Sequence, residues 1–153
     1  MRDWSLAFLA GLGSAALLAG ALFFQYVIGL APCELCILQR WPHLAAFIIG
    51  ICVWFLPSAW LMGLGALSAV VAGGLGIYHT GVERAWWQGP TSCSGGGDIT
   101  QLSPQDLLNQ IMAAPVVRCT DVAWEMLSLS MASWNAILSF GLAALWIIAM
   151  RRA

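Results

Sequence analysis

Residues 41–82 read WPHLAAFIIGICVWFLPSAWLMGLGALSAVVAGGLGIYHTGV and contain no Asp, Glu, Lys or Arg. A helix crosses the hydrocarbon core of a bilayer with about 20 apolar residues, so the run is too long for one span. It is interrupted at Leu56-Pro57-Ser58. Proline removes a helical N–H and clashes with the preceding turn. The stretch therefore reads as two spans joined by a tight turn, about 42–55 and 59–78. The first is short and begins within the headgroup region. Gly63, Gly65, Gly73, Gly74 and Gly76 on the second allow another helix to approach closely.

Working outward, the same criterion places two more spans. No charge occurs from Trp4 to Cys33, which sets a first span at about 6–28. Its start resembles a signal peptide, with Arg2 followed by apolar and small residues. The apolar run, however, exceeds the roughly 7–15 residues of a signal-peptide core, and an uncleaved span is expected. No charge occurs between Glu125 and Arg151, which sets a last span at about 134–148. Composition agrees: of 153 residues, 61% are hydrophobic and 8% charged, against about 25% charged in a soluble domain. The expected fold is all-α, a single integral membrane four-helix bundle over 1–153. The net charge of −1 supplies no basic field for nucleic acid.

Four spans put both termini on one side and the connecting loops, about 29–41 and 81–131, together on the other. Arginines tie at three per side, with Arg2, Arg151 and Arg152 facing Arg40, Arg84 and Arg118. The Arg151-Arg152 pair directly abuts a span end, which places the termini in the cytoplasm. The long loop carries a biased tract, Gly95-Gly96-Gly97, and then Ser103-Pro104-Gln105-Asp106. Ser103 suits an N-cap, Pro104 a first helical position and Asp106 a capping-box acid. A short helix to about Ala113 follows, with Leu107, Leu108, Ile111 and Met112 on one face. It lies either on the membrane surface or packed on the loop.

Both loops carry sulfur. Cys33 and Cys36 form a Cys-x-x-Cys pair, and Arg40 follows Cys36 by four residues. A nearby cation or helix N-terminus favours the thiolate, and a helical turn would bring the guanidinium beside Cys36. Arg40 would then hold the thiolate or an anionic acceptor oxygen, or simply snorkel to the interface. Cys93 and Cys119 lie in the long loop, and an oxidising compartment would pair them, as a static staple or as a redox pair. Four cysteines allow three connectivities. A zinc site is disfavoured because the second pair lacks Cys-x-x-Cys spacing, and no metal is expected. Cys52, deep in the second span, reads as a buried structural residue.

Two disulfides on one face suggest an electron relay by thiol–disulfide exchange. Within a membrane its terminal acceptor would be a lipid-soluble quinone. His79, at the outer end of the third span, could reach such a site and hydrogen-bond a carbonyl. An interfacial histidine without a ligand is the alternative. His43, one turn past Arg40, is the weaker candidate, and Trp86-Trp87 fits an aromatic belt.

At these residues the chain resembles the DsbB family, inner-membrane quinone reductases that reoxidise the periplasmic thiol oxidase DsbA. The resemblance rests on Cys33-Glu34-Leu35-Cys36-Ile37-Leu38-Gln39-Arg40, on Tyr78-His79-Thr80-Gly81-Val82-Glu83 with Trp86-Trp87 and Gly89-Pro90, and on Val117-Arg118-Cys119. It implies two redox loops on the periplasmic side of the bacterial inner membrane, with a short interfacial helix in the second. It further implies that Cys93 takes the attack of a reduced DsbA-type thioredoxin-fold partner. Cys119 would be released and attack Cys33, and Cys36 would be left as a thiolate against a ubiquinone or menaquinone. Arg40 would stabilise that thiolate, and His79 would border the quinone. Two other readings remain: an enzyme like vitamin K epoxide reductase, with four spans but other motifs, and a non-enzymatic membrane subunit with a structural loop disulfide.

Overall fold

Long helices form where the charge-free runs lie. The structure, a computed structural model, describes residues 3–90, 103–113 and 117–153. Helix α1 covers Asp3–Tyr26, α2 Glu34–Phe55, α3 Ala59–Glu83, α4 Pro104–Ala113 and α5 Met131–Arg152. Of these, α1, α2, α3 and α5 are each long and apolar enough to cross a membrane, which makes the molecule a four-helix membrane bundle. A two-stranded hairpin, β1 (Glu125–Met126) and β2 (Leu129–Ser130), leads into α5.

The helices outrun the expected spans, most of all in α2, which begins at Glu34 rather than near 42. Charge marks where hydrocarbon ends, not where helix ends. Cys33 stops the chain from being helical earlier. Its backbone is extended (φ −76°, ψ 170°), and its sulfur accepts the Cys36 N–H at 3.2 Å. Sulfur thus takes the capping place usually held by oxygen. Pro42 is tolerated inside α2, and the helix ends before Pro57 as expected. Likewise α3 continues through His79 to Glu83. It closes in a Schellman turn, Trp86 N–H to Gly81 O at 2.8 Å and Ala85 N–H to Val82 O at 3.1 Å. Ser130 caps α5 through the Ser133 N–H, and Arg151-Arg152 lie in its last turn, where the dipole favours cations. Helix α4 opens on the expected box, with Ser103 Oγ accepting the Asp106 N–H at 3.2 Å.

Apolar surface gains nothing by leaving lipid, so membrane helices associate through close packing. Gly11 on α1 meets Gly50 on α2, and a Cβ on Gly50 would lie 3.0 Å from the Gly11 Cα. Along α3, Gly65 lies against Trp146, Gly73 against Phe140 and Gly76 against the Ala136 backbone, whereas Gly74 faces open space. Cys52 corrects the sequence reading. It is exposed, because the buried stripe of α2 runs through Leu35, Gln39, His43, Ala46, Gly50 and Val53 and leaves position 52 on the outer face.

Candidate functional site

The first turn of α2, the last turn of α3 and the loop before the hairpin meet at one end of the bundle. Cys33, Leu35, Val82 and Cys119 form a buried cluster there, with Cys36, Tyr78 and Val117 packed against it. Cys33 and Cys36 are free thiols with sulfurs 2.7 Å apart, while Cys119 is disulfide-bonded. Cys93 lies outside the described residues, as does the Gly95–Gly97 tract. Cys33 is 5% exposed and Cys119 is fully buried, whereas Cys36 is half-buried. The hydrogen bond to Cys36 and then burial push the Cys33 thiol above its ordinary range. The proton of the pair therefore stays on Cys33, shared toward the Cys36 sulfur.

Arg40 follows one helical turn after Cys36, and both border a cavity of about 470 Å³. Its Nη1 donates to Gln25 Oε1 at 2.6 Å, which ties α2 to α1. Its Nε is buried with no partner among the described residues. His79 is 4% exposed, and its Nε2 lies 3.5 Å from Cys33 Sγ and 3.8 Å from Glu83 Oε1. Ser130 Oγ donates to Glu83, so the cap of α5 is joined to the end of α3. Cavity walls are mostly apolar, with Leu17, Ala21, Phe24 and Leu138 facing Cys36, Arg40 and His79. Trp124 closes against Phe24, ring centroids 5.3 Å apart.

The structure thus brings Cys33, Cys36, Arg40, His79 and Cys119 to one place. Behind them lie polar groups of which sequence reasoning ranked His43 as the weaker candidate and gave Gln39 and Asn135 no role. Gln39 Nε2 reaches His79 Nδ1 at 2.8 Å, Asn135 Nδ2 reaches Gln39 Oε1 at 2.7 Å, and His43 Nε2 reaches Asn135 Oδ1 at 2.8 Å. A signal was present: Gln25, Gln39, His43 and Asn135 are polar residues on spanning helices, where each is a functional candidate by default. Trp86-Trp87 also differ from a simple belt. Trp87 folds back over Gly81, stacks 6.1 Å from Tyr78 and donates its indole N–H to the Tyr78 carbonyl at 2.8 Å.

Cys33, Cys36 and His79 each place a ligand atom within 4.8 Å of the others, a set that could take a soft metal ion. A metal-bound imidazole normally donates its second N–H to a carbonyl or carboxylate. His79 does the reverse. Its Nδ1 faces the Gln39 amide nitrogen, whose orientation is fixed by the Leu35 carbonyl at 3.2 Å. The ring proton of neutral His79 is then on Nε2, beside Cys33, which suits a sulfur acceptor better than a metal.

The family model for disulfide bond formation protein DsbB matches residues 3–149. Disulfide bond formation protein B of Verminephrobacter eiseniae is 33% identical over 150 residues, covering 93% of this chain and 82% of that protein. Disulfide bond formation protein B of Pasteurella multocida is 32% identical, covering 82% and 74% respectively. Disulfide bond formation protein B 2 of Pseudomonas aeruginosa is 33% identical, covering 83% and 78%. No solved structure matches the chain. A match over nearly the whole length, with sulfurs gathered at one end of four spanning helices, decides the assignment. The chain belongs to the DsbB family and is a membrane oxidoreductase that generates disulfides.

Proposed function

We propose that this protein reoxidises a DsbA-type thioredoxin-fold dithiol on the periplasmic face of the bacterial inner membrane and passes the electrons to a membrane quinone. The termini would lie in the cytoplasm. The observation that carries the reading is the Cys33–Cys36 pair, packed with buried Cys119 on one side and bordering a cavity with Arg40 and His79 on the other.

In this reading Cys93 is the disulfide partner of Cys119 and takes the attack of the reduced partner. Cys119 leaves as a thiolate. Once the Cys33–Cys36 dithiol has been oxidised to a disulfide by the quinone, Cys119 attacks Cys33, breaks that Cys33–Cys36 bond, forms a Cys33–Cys119 bond and expels Cys36 as the thiolate. The buried cluster that holds Cys33 and Cys119 excludes water from that exchange. Cys36 is the half-buried sulfur, and its place at the start of α2 suits negative charge, since helix N-termini favour anions. Arg40 adds a fixed positive charge one turn on.

The cavity fits a quinone. It is apolar, of a size typical for small-ligand sites, and it borders two residues with buried polar atoms that lack partners among the described residues, Arg40 Nε and His43 Nδ1. Arg40 and Cys36 would hold the ring, with His79 bordering it behind the sulfurs. A bound quinone supplies the sink for two electrons and two protons, so that one dithiol becomes one disulfide as one quinone becomes one hydroquinone. The test is anaerobic turnover of the detergent-solubilised protein with a reduced thioredoxin-fold oxidase and a short-chain ubiquinone or menaquinone. Loss of quinone absorbance in step with partner thiols, one quinone per two thiols, is expected. Partner oxidation without quinone consumption would overturn the reading.

A further inference from the structure

The two buried imidazoles, His79 and His43, are joined through two side-chain amides, and the direction of that chain is fixed. A backbone carbonyl can only accept. Gln39 Nε2 lies 3.2 Å from the Leu35 carbonyl and Asn135 Nδ2 lies 3.5 Å from the Ala72 carbonyl. Turning both amides round would set oxygen against oxygen at both places. The orientation of each amide is assigned from its partners, and here both backbone partners agree.

The tautomers follow. Gln39 donates to His79 Nδ1, so the proton of that neutral ring is on Nε2, toward Cys33 Sγ. At the other end, Asn135 spends its N–H on Gln39 Oε1 and offers Oδ1 to His43 Nε2. His43 Nε2 therefore carries the proton, shared with Ser139 Oγ at 3.5 Å. His43 Nδ1 is left with a lone pair. It is buried without a partner among the described residues, on a side chain 3% exposed that borders the cavity.

An unpaired buried acceptor calls for a donor. A quinone ring offers only carbonyl acceptors, whereas its two-electron-reduced form offers O–H donors. We infer that His43 is a binding residue that selects the hydroquinone over the quinone, its Nδ1 accepting a hydrogen bond from a ring hydroxyl. Asn135 is a positioning residue that sets the required tautomer. The inference rests on the quinone reading and extends it. The site has one end that addresses sulfur, through His79 Nε2–H, and one end that addresses the reduced ring, through His43 Nδ1. His43 lies nine residues into α2 from Glu34, about 14 Å along the helix at 1.5 Å per residue, so this second contact is deep in the bundle.

The test compares binding of a short-chain ubiquinone and its hydroquinone, under anaerobic conditions, to the solubilised full chain with 15N-labelled histidine. In the wild-type protein the His43 spectrum should show a protonated Nε2 and an unprotonated Nδ1. Hydroquinone should shift the Nδ1 resonance and quinone should not. His43→Phe should weaken hydroquinone binding about tenfold, as loss of one buried hydrogen bond would, and leave quinone binding within about twofold. Asn135→Leu should produce a mixture of His43 tautomers and a smaller loss of the same preference. A wild-type spectrum with protonated Nδ1, or no response to hydroquinone, overturns the inference without needing any variant. Equal weakening of both forms by His43→Phe overturns it while leaving the quinone reading intact. If the wild-type protein binds neither form, the quinone reading fails and the inference with it.

Discussion

The two halves of the bundle are built on different principles. Toward the termini, Ala7, Ala10, Val53, Met62, Ala66 and Trp146 form a dry core of small residues and one large ring. Toward the loops, the buried residues include Gln39, His43, His79, Ser130 and Ser133, which are polar and hydrogen-bonded. The first half fills its space, and the second encloses a cavity of about 470 Å³. Lipid offers no hydrophobic drive for helices to associate, so close approach at Gly11–Gly50 and Gly65–Trp146 must hold this half together. The difference teaches a division of labour. The tight half carries stability, and this lets the other half keep a void and a reactive dithiol without collapsing.

The sharpest way to break that division is Cys36→Ser. In the proposed relay Cys36 is the leaving sulfur, and its removal should cut quinone-dependent thiol oxidation by at least about 1000-fold. Stability should change by no more than about 1 kcal/mol, since Cys36 is half-buried at the edge of its cluster. Turnover assays and thermal unfolding in detergent check both halves of the statement. A large loss of stability would mean that the sulfur pair helps hold the helices, contrary to the division drawn above.

Gly50→Val should do the opposite. Its Cβ would lie 3.0 Å from the Gly11 backbone, and overpacking of this kind costs about 1–3 kcal/mol. The melting temperature should fall, while the KM for a soluble quinone in the remaining folded protein stays unchanged. An altered KM would show that the tight half shapes the cavity.

Within the polar half, Arg40→Leu removes a cavity cation and strands Gln25 Oε1, its partner at 2.6 Å. Hydrogen bonds to charged groups contribute about 1.5–3 kcal/mol, so the KM for quinone should rise about tenfold or more. Gln25→Leu, which only frees the guanidinium, should have a smaller effect. Initial rates against quinone concentration distinguish the two.

The dithiol itself gives a pH prediction. The thiolate is the nucleophile, and the raised pKa of Cys33 keeps its thiolate fraction low at neutral pH. In reduced Cys52→Ser protein, alkylation of Cys33 should lag behind that of a free thiol and accelerate as pH rises past 9. The largest cause of the shift is the hydrogen bond to Cys36. Cys36→Ala should therefore speed Cys33 alkylation at neutral pH, leaving burial as the one cause that raises the pKa, opposed by the backbone N–H groups. If Cys33 stayed equally slow, burial rather than the pair would govern it.

Much of this was legible in the chain. Charge-free runs marked four helices, Leu56-Pro57 marked the α2–α3 turn, and Ser103-Pro104 marked the start of α4. The cysteines, Arg40 and His79 stood out by residue type. What could not be read was register. The apolar faces of α2 are too uniform to say that Gln39 and His43 turn inward while Cys52 turns outward, because a lipid-facing and a core-facing residue look alike in composition. Glu34 and Glu83 hid the helix ends, since they are charged yet helical. The contact between Gln39 and Asn135 joins residues 96 positions apart, a pairing that no local pattern announces. The hairpin was invisible for another reason: its turn, Leu127-Ser128, lacks the Asn-Gly or Asp-Gly signature of such turns.

That turn yields the smallest expected effect and a last check on where stability resides. Leu127 and Ser128 both have positive φ, 54° and 63°, as a two-residue type I′ turn between Met126 and Leu129 requires. A side chain held in the left-handed region costs about 1–2 kcal/mol, whereas glycine adopts it freely but loses about 0.5–1 kcal/mol more chain entropy on folding. Changing Leu127-Ser128 to Asn-Gly should thus stabilise the hairpin by about 1 kcal/mol. The hairpin lies in the polar half, held by the Glu125–Ser130 pairing and by Trp134 Nε1 donating to the Met126 carbonyl at 3.1 Å. If the dry half sets the unfolding of the bundle, the substitution should slow amide exchange in 125–130 and leave the global melting temperature almost unmoved. A clear rise in melting temperature would instead show that the polar end, through the Ser130 cap of α5, unfolds together with the rest.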